Sequence, residues 1–266
     1  MLSDSAVCHN RGSSLRGELM TFTQPKRTDQ PSRDRLPTMY DLPSEFPEES
    51  GLPDIFHDLQ PEFLSSTLKL QDYNNDNCFV GSDLNVYYDL NNPLWHKRPD
   101  WFLAIGVPFQ YERRDLRLSY VSWQEEANPF LIVELISPST EDEDFGRTVA
   151  QPGGPPTKWT VYEQILQVPY YVVFDRYNDR LRAFKLEGTQ YDEQVLSENR
   201  LWIPELKIGL GLWFGVYKQG TVQETEKRLW LRWYDEEKQW LLTDAEKIAA
   251  LKARLKAQGL DPDDFV

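Results

Sequence analysis

The sequence predicts an α/β (α+β) protein: a mixed β-sheet flanked by helices, finished by a C-terminal β-hairpin and helix. Three observations predict it. Residues 101–107 and 130–136 are apolar runs of strand length without alternation, the mark of strands buried on both faces. Helical patterns fall before, between and after strand patterns, the order of a layered sheet-and-helix domain. The 266-residue chain is 40% apolar with 9 Trp, 13 Tyr and 13 Phe, enough for a sizeable core.

The elements follow in order. Residues 1–38 are rich in Ser, Arg, Gln, Thr and Pro, poor in aromatics, and expected to be disordered. Met20 and Met39 each precede more protein-like sequence, so Met1, Met20 and Met39 are all candidate starts. The main domain is placed at 39–220 and a hairpin-and-helix extension at 221–266. A Pro- and acid-rich stretch with Pro43, Pro47 and Pro53 leads into a helix at 60–69, where Pro61 suits the first turn. Strands are expected at 84–88, 101–107, 116–123 and 130–136. Residues 137–156 form a long loop, acidic at 141–144 and Gly/Pro-rich at 152–156, and loops of this length inside a domain are often functional. A helix at 157–167 carries Lys158, Tyr162, Ile165 and Leu166 at helical spacing. A strand at 170–175 turns at Asn178-Asp179 into another at 181–186. Residues 190–195, 201–204 and 208–214 read as further short strands. Strands 229–234 and 239–242, joined at 235–238, make the C-terminal hairpin. Thr243 and Glu246 form a capping box for a helix to 258, stopped by Gly259 and Pro262. Its Ala245, Ile248, Leu251 and Leu255 suit a docking or coiled-coil helix. The chain has no internal repeat.

Charge and composition restrict the function. A formal charge of −14 argues against passive, charge-driven binding to nucleic acid, though not against an enzyme that recruits a divalent metal locally. An acidic surface is also simply a soluble one. Cys8 and Cys78 form no C-x-x-C, which fits a reducing cytoplasm. His9, His57 and His96 are too scattered to suggest a His/Cys zinc site. No apolar run is long enough for a membrane span, and the N-terminus lacks the apolar segment of a signal peptide.

One residue breaks the apolar pattern. Glu134 lies inside the run 130–136, and an unpaired buried carboxylate must find compensation or take up a proton. A bound cation, a lysine or a catalytic role would supply it; an edge strand turning Glu134 to solvent is the ordinary alternative. Pro99-Asp100 immediately precedes the other buried run, and Lys158 opens the helix after the long loop. Two carboxylates on neighbouring strands can share a hard divalent cation such as Mg²⁺ or Mn²⁺. A nearby ammonium can orient an attacking water and stabilise charge on a phosphate. Together these are the parts of metal-assisted phosphodiester hydrolysis.

The ordered set Arg98-Pro99-Asp100, the segment from Val133-Glu134-Leu135-Ile136 through Ser137-Pro138-Ser139-Thr140, Lys158 with Tyr162, and the segment from Val168 to Asp175 resembles the PD-(D/E)XK nuclease superfamily. More narrowly it resembles the Uma-type family of restriction-endonuclease-like proteins, from about Leu42 to the C-terminus. The Gly259-Leu260-Asp261-Pro262 ending is similar to that of longer members. The resemblance implies a restriction-endonuclease-like core and Mg²⁺- or Mn²⁺-dependent hydrolysis of DNA. Asp100 and Glu134 would hold the metal, with the Leu135 carbonyl as a further ligand, and Lys158 would position the water. The usual lysine position, two residues after the glutamate, is Ile136 here, so the resemblance implies a lysine that has migrated to Lys158. A homodimer is expected, since cutting both strands needs two sites. The competing reading is a catalytically degenerate nuclease fold used as a binding or assembly module. A nuclease acting on RNA is a third.

Other residues have functional and ordinary readings. Asp100 could be a turn Asp and Lys158 a solvated first-turn lysine. Asp83 could face the site, but a strand-start turn explains it as well. Glu62 could join the metal shell or be a first-turn helix acid. Glu141, Asp142, Glu143 and Asp144 read as a solvated run of which only one could approach a metal. Lys97, Arg98, Arg113, Arg114 and Arg117 could contact phosphates or line a solvated hairpin. Tyr162 could support Lys158 or simply be core. Gly209-Leu210-Gly211 lies in an apolar strand pattern without a lysine and is not read as a nucleotide loop.

Overall fold

The structure, a computed structural model, describes residues 54–125, 127–137, 141–219, 222–223 and 226–261. The expected disordered tail, the candidate starts, Pro43, Pro47, Pro53, Pro138, Ser139, Thr140 and Pro262 lie outside the described residues. In chain order the elements are α1 (Ile55–Thr67), β1 (Cys78–Ser82), β2 (Val86–Tyr87), β3 (His96–Lys97), β4 (Trp101–Ile105), β5 (Tyr120–Val121) and α2 (Ser122–Glu125). Next come β6 (Pro129–Leu135), α3 (Glu141–Asp144), and α4 (Lys158–Thr160) running into a π-helical turn (Val161–Ile165). Then follow β7 (Tyr170–Asp175), β8 (Arg180–Glu187), β9 (Gln190–Glu193), β10 (Arg200–Ile203) and β11 (Ile208–Gly215). The last are β12 (Lys218–Gln219), β13 (Val222–Gln223), β14 (Arg228–Tyr234) and α5 (Asp244–Ala257).

The principal sheet has the order β1-β4-β6-β7-β8-β9. Only β6 and β7 run parallel; the other neighbours are antiparallel. A parallel pair needs a crossover, and the segment holding α3 and α4 supplies it. Strand alternation sorts the side chains. Trp101, Leu103, Leu131, Val133 and Val172 pack on Phe56, Leu59, Phe63 and Leu64 of α1. Phe102, Ala104, Ile132, Tyr171 and Val173 pack on Val161, Tyr162 and Leu166. Both faces are thus covered, which is why the β4 and β6 sequences are apolar throughout. Each such side chain contributes about 1.5–3 kcal/mol by leaving water.

A second sheet, β10-β11-β14, packs on the other side of α1. The Trp233 indole donates to the Leu64 carbonyl at 2.9 Å. The Gln60 amide donates to the Leu231 carbonyl at 3.0 Å and accepts from the Leu231 N–H at 2.8 Å. That closes two backbone groups which β14, at the sheet's edge, would otherwise leave open.

Several boundaries differ from expectation. The first helix begins at Ile55, because Asp54 caps it by accepting from the N–H groups of Phe56 and His57; Pro61 sits in its interior. The strand expected at 116–123 shrinks to Tyr120–Val121 followed by α2, and Leu116 and Leu118 are exposed, so their alternation marks no buried face. Strand β1 was not expected. Residues 229–234 form β14, but it pairs with β11 along seven residue pairs. The intended partner 239–242 keeps a single bridge, Trp240 to Tyr234. Gly209 lies in β11, where a Cβ would collide with the Tyr234 ring, so packing explains it. The capping box of Thr243 and Glu246 forms as expected, and α5 has no buried residue; Ile248 and Leu251 are both exposed.

Candidate active site

The antiparallel register of β4 and β6 sets Trp101 opposite Val133 and Phe102 opposite Ile132. One step further, it sets Asp100 opposite Glu134. By alternation both carboxylates belong to the face carrying Phe102 and Ile132, beneath the crossover. Asp100 is fixed by the Leu135 N–H, which donates to its Oδ2 at 2.6 Å. Glu134 is fully buried. Its Oε1 accepts from the Tyr162 hydroxyl at 2.8 Å. Its Oε2 lies 3.2 Å from Lys158 Nζ, without the alignment of a hydrogen bond, and has no hydrogen-bond partner.

Lys158 comes from the crossover. Thr157 caps α4, accepting from the Thr160 N–H, and starts the helix at the carboxyl end of β6. The helix then widens into the π-turn that carries Tyr162; such turns are rare and gather at functional sites. Lys158 Nζ donates to Asp144 Oδ1 at 2.7 Å. Asp144 is fully buried, and its Oδ2 has no hydrogen-bond partner.

A histidine completes the surroundings. Buried His57 on α1 places Nε2 3.1 Å from the Leu135 carbonyl and Nδ1 2.9 Å from Asp54 Oδ1. Burial pulls the His57 pKa down, but the Asp54 hydrogen bond and the charges of Asp100 and Asp54 outweigh it and hold it above the ordinary value. Asp54 in turn pairs with Arg176.

The electrostatics are unbalanced. Asp100, Glu134 and Asp144 surround one ammonium, with His57 as the further cation acting on Asp100. Burial raises Glu134 well above the usual carboxylate range; Lys158 opposes this, while Asp144 and Asp100 reinforce it. Burial likewise raises Asp100 against the pull of Lys158 and His57. For Lys158 burial works downward, and the Asp144, Glu134 and Asp100 charges overcome it and hold the ammonium protonated. A charged lysine and carboxylates pushed toward neutrality are compatible here: three acids exceed what one ammonium can neutralise.

Asp100, Glu134, Leu135 and Lys158 are therefore brought together, and Tyr162 serves Glu134 rather than the core alone. Other candidates go elsewhere. Glu62 is exposed, and its charge bears on Tyr217. Asp83, directly after β1, pairs at 2.6 Å with Arg98, which precedes β4. Arg117 is no surface phosphate contact: it is buried, held by Glu125 and by the carbonyls of Pro108 and Phe109. Arg113 and Arg114 pair with Asp76 and Glu112, and Lys97 with Glu143. The acidic run divides, with Glu141 and Asp142 on Arg147 and Asp144 buried at the site. Its burial and that of His57 were not foreseen.

The donor set suits a hard cation. Asp100, Glu134 and the Leu135 carbonyl offer oxygen only, and the buried Glu134 Oε2 has an ion pair with Lys158 but no hydrogen bond. Among the described residues no three His, Cys, Asp or Glu side chains form a metal cage. Mg²⁺ does not require one, since it binds through one or two carboxylates plus water and substrate phosphate.

A mixed sheet flanked by helices, with an acid pair across its central strands and a lysine delivered by the crossover, defines a protein of the restriction-endonuclease-like class. The chain belongs to the Uma2 family, described as putative restriction endonucleases, whose profile matches residues 32–217. A comparison with curated proteins finds no match. Among the described residues no helix is long and apolar enough to cross a membrane.

Proposed function

We propose that this protein is a cytoplasmic, Mg²⁺- or Mn²⁺-dependent endonuclease that hydrolyses DNA phosphodiester bonds. The observation that carries the reading is the charge deficit: buried Glu134 and Asp144 and the half-buried Asp100 face one lysine, and a Glu134 oxygen is left without a hydrogen bond. Asp100, Glu134 and the Leu135 carbonyl would hold the cation, which when bound polarises the scissile phosphate and acidifies a water. The chain's own residues do the rest. The Leu135 N–H fixes Asp100, Tyr162 fixes one Glu134 oxygen, and His57 fixes the Leu135 carbonyl from behind. The Lys158 ammonium, kept protonated, donates to a phosphate oxygen and orients the incoming water. Cutting both strands of a duplex calls for two such sites, so the proposed unit is a homodimer.

The test is cleavage of plasmid and linear DNA, with RNA alongside, in Mg²⁺, Mn²⁺ or EDTA, beside Glu134→Ala. Metal-dependent cutting of DNA that the variant loses is expected. No cutting by folded protein on any substrate would sink the reading. It would favour a degenerate nuclease fold that assembles through α5, whose exposed Ile248 and Leu251 are the one observation on that side.

A further inference from the structure

The lysine of this site arrives from a helix after a long loop, on a flexible four-carbon stem that needs something to aim it. Glu134 does not do so, because its Oε2 lies 3.2 Å from Nζ without hydrogen-bond alignment. The hydrogen bond goes to Asp144 at 2.7 Å. Asp144 is placed for this from two sides. Its carbonyl accepts from the Tyr171 hydroxyl at 2.9 Å, which ties the end of α3 to β7. The residue before it, Glu143, accepts from the Lys158 N–H at 3.1 Å and from Lys97 at 2.7 Å. Two successive acids thus hold Lys158, one by its backbone and one by its ammonium. Asp144 is fully buried while Asp142, in the same short helix, is exposed, so its place is specified by Lys158 and not by solvation.

We propose that Asp144 is a positioning residue of this site: it holds the Lys158 ammonium beside Glu134 and leaves Glu134 Oε2 unsaturated for the cation. The proposal rests on the nuclease reading above. It assigns Asp144 to the ammonium, from which its Oδ1 accepts at 2.7 Å, and the metal to Asp100 and Glu134.

The experiment compares wild type and Asp144→Asn as full-length proteins, by steady-state DNA cleavage, calorimetric Mn²⁺ binding and ¹⁵N NMR of lysine ammonium groups. The Lys158 signal is identified by its loss in Lys158→Arg. Asp144→Asn is expected to lower kcat about 10- to 100-fold, with KM for DNA changed less than about threefold, as when an orienting partner is lost. Mn²⁺ affinity should hold, and the slowly exchanging Lys158 ammonium of the wild type should exchange fast in the variant. An unchanged kcat, an unchanged ammonium signal or a tenfold loss of Mn²⁺ affinity each overturns the proposal, the last by making Asp144 a ligand. If the wild type cuts nothing, the nuclease reading fails and the ammonium signal still decides whether Asp144 holds Lys158. If Asp144→Asn does not fold, the wild type decides alone: a Lys158 ammonium exchanging like an exposed lysine overturns the proposal, and a slow one supports it.

Discussion

Two buried charge clusters in this protein are built to opposite plans. Arg117 and Glu125 form a closed account: two opposed groups, bonded at 3.0 and 2.7 Å, with the remaining guanidinium donor spent on the Pro108 and Phe109 carbonyls. Lys158 faces three carboxylates, two of which retain an oxygen with no hydrogen bond. The first is neutral and saturated, as buried ion pairs must be if they are only to hold a fold together. The second is short of positive charge. The difference teaches that burial of charge alone does not mark a site; an uncompensated remainder does.

The largest effect expected from this comparison is on stability. Arg117→Ala leaves Glu125 buried and alone, and urea unfolding should show a loss of about 3–5 kcal/mol. Adding Glu125→Leu to Arg117→Met should recover most of it, with cleavage per folded molecule unchanged throughout. A loss below about 1 kcal/mol for Arg117→Ala would mean the pair is not the closed unit described. Next, Glu134→Gln should slow cleavage about 100- to 1000-fold, yet leave the metal-free protein at least as stable as wild type at pH 8. A clear fall in its unfolding temperature there would break the contrast.

The third expectation is a pH dependence. Burial raises Glu134 and Asp100, so the native protein holds protons that the unfolded chain releases. Stability of the metal-free protein should therefore be greatest, as far as these groups go, at or below their unfolded values, and fall as pH rises above 4.5 through the raised folded value. His57, also raised, adds to the same slope from 6.5 upward. Saturating Mg²⁺ should flatten the carboxylate part, as thermal melts across pH would reveal; identical slopes with and without metal would count against a cation site. The smallest effect is Tyr162→Phe. Losing one hydrogen bond to a carboxylate, worth about 1.5 kcal/mol, should slow cleavage about tenfold, and an unchanged rate would leave Tyr162 a core residue only.

Much of this was legible in the sequence because strands write their environment locally. An apolar run with one acid announces a central strand and a candidate site, and fixed alternation lets Asp100 be set against Glu134 once the two strands are neighbours. The capping box at Thr243 was readable for the same reason. What was hidden depends on distant partners. The stretch of acids at 141–144 has no apolar periodicity, so nothing local says that Asp144 turns inward; Lys158, 14 residues on, decides it. His57 is hard to see in the sequence because Pro61 suggests a first helical turn, which starts the helix well after Asp54 and leaves the histidine in an apparent loop. The β11–β14 pairing is hidden behind the nearer hairpin, because the buried partners of Trp230 and Trp233, among them Phe56, Phe63 and Trp101, lie far away in the sequence.

The Gln60 amide has a consequence for how the chain behaves among copies of itself. Where β14 offers Leu231's N–H and carbonyl at the margin of its sheet, a single side chain stands in for the missing strand. A sheet margin with free backbone groups invites any passing extended segment to dock and propagate. Here the invitation is withdrawn at one rung by an amide with the same donor and acceptor as a peptide group. Because that amide belongs to α1, the rung stays closed only while the helix is in place, so loosening α1 would uncover a sticky margin as well as empty the core.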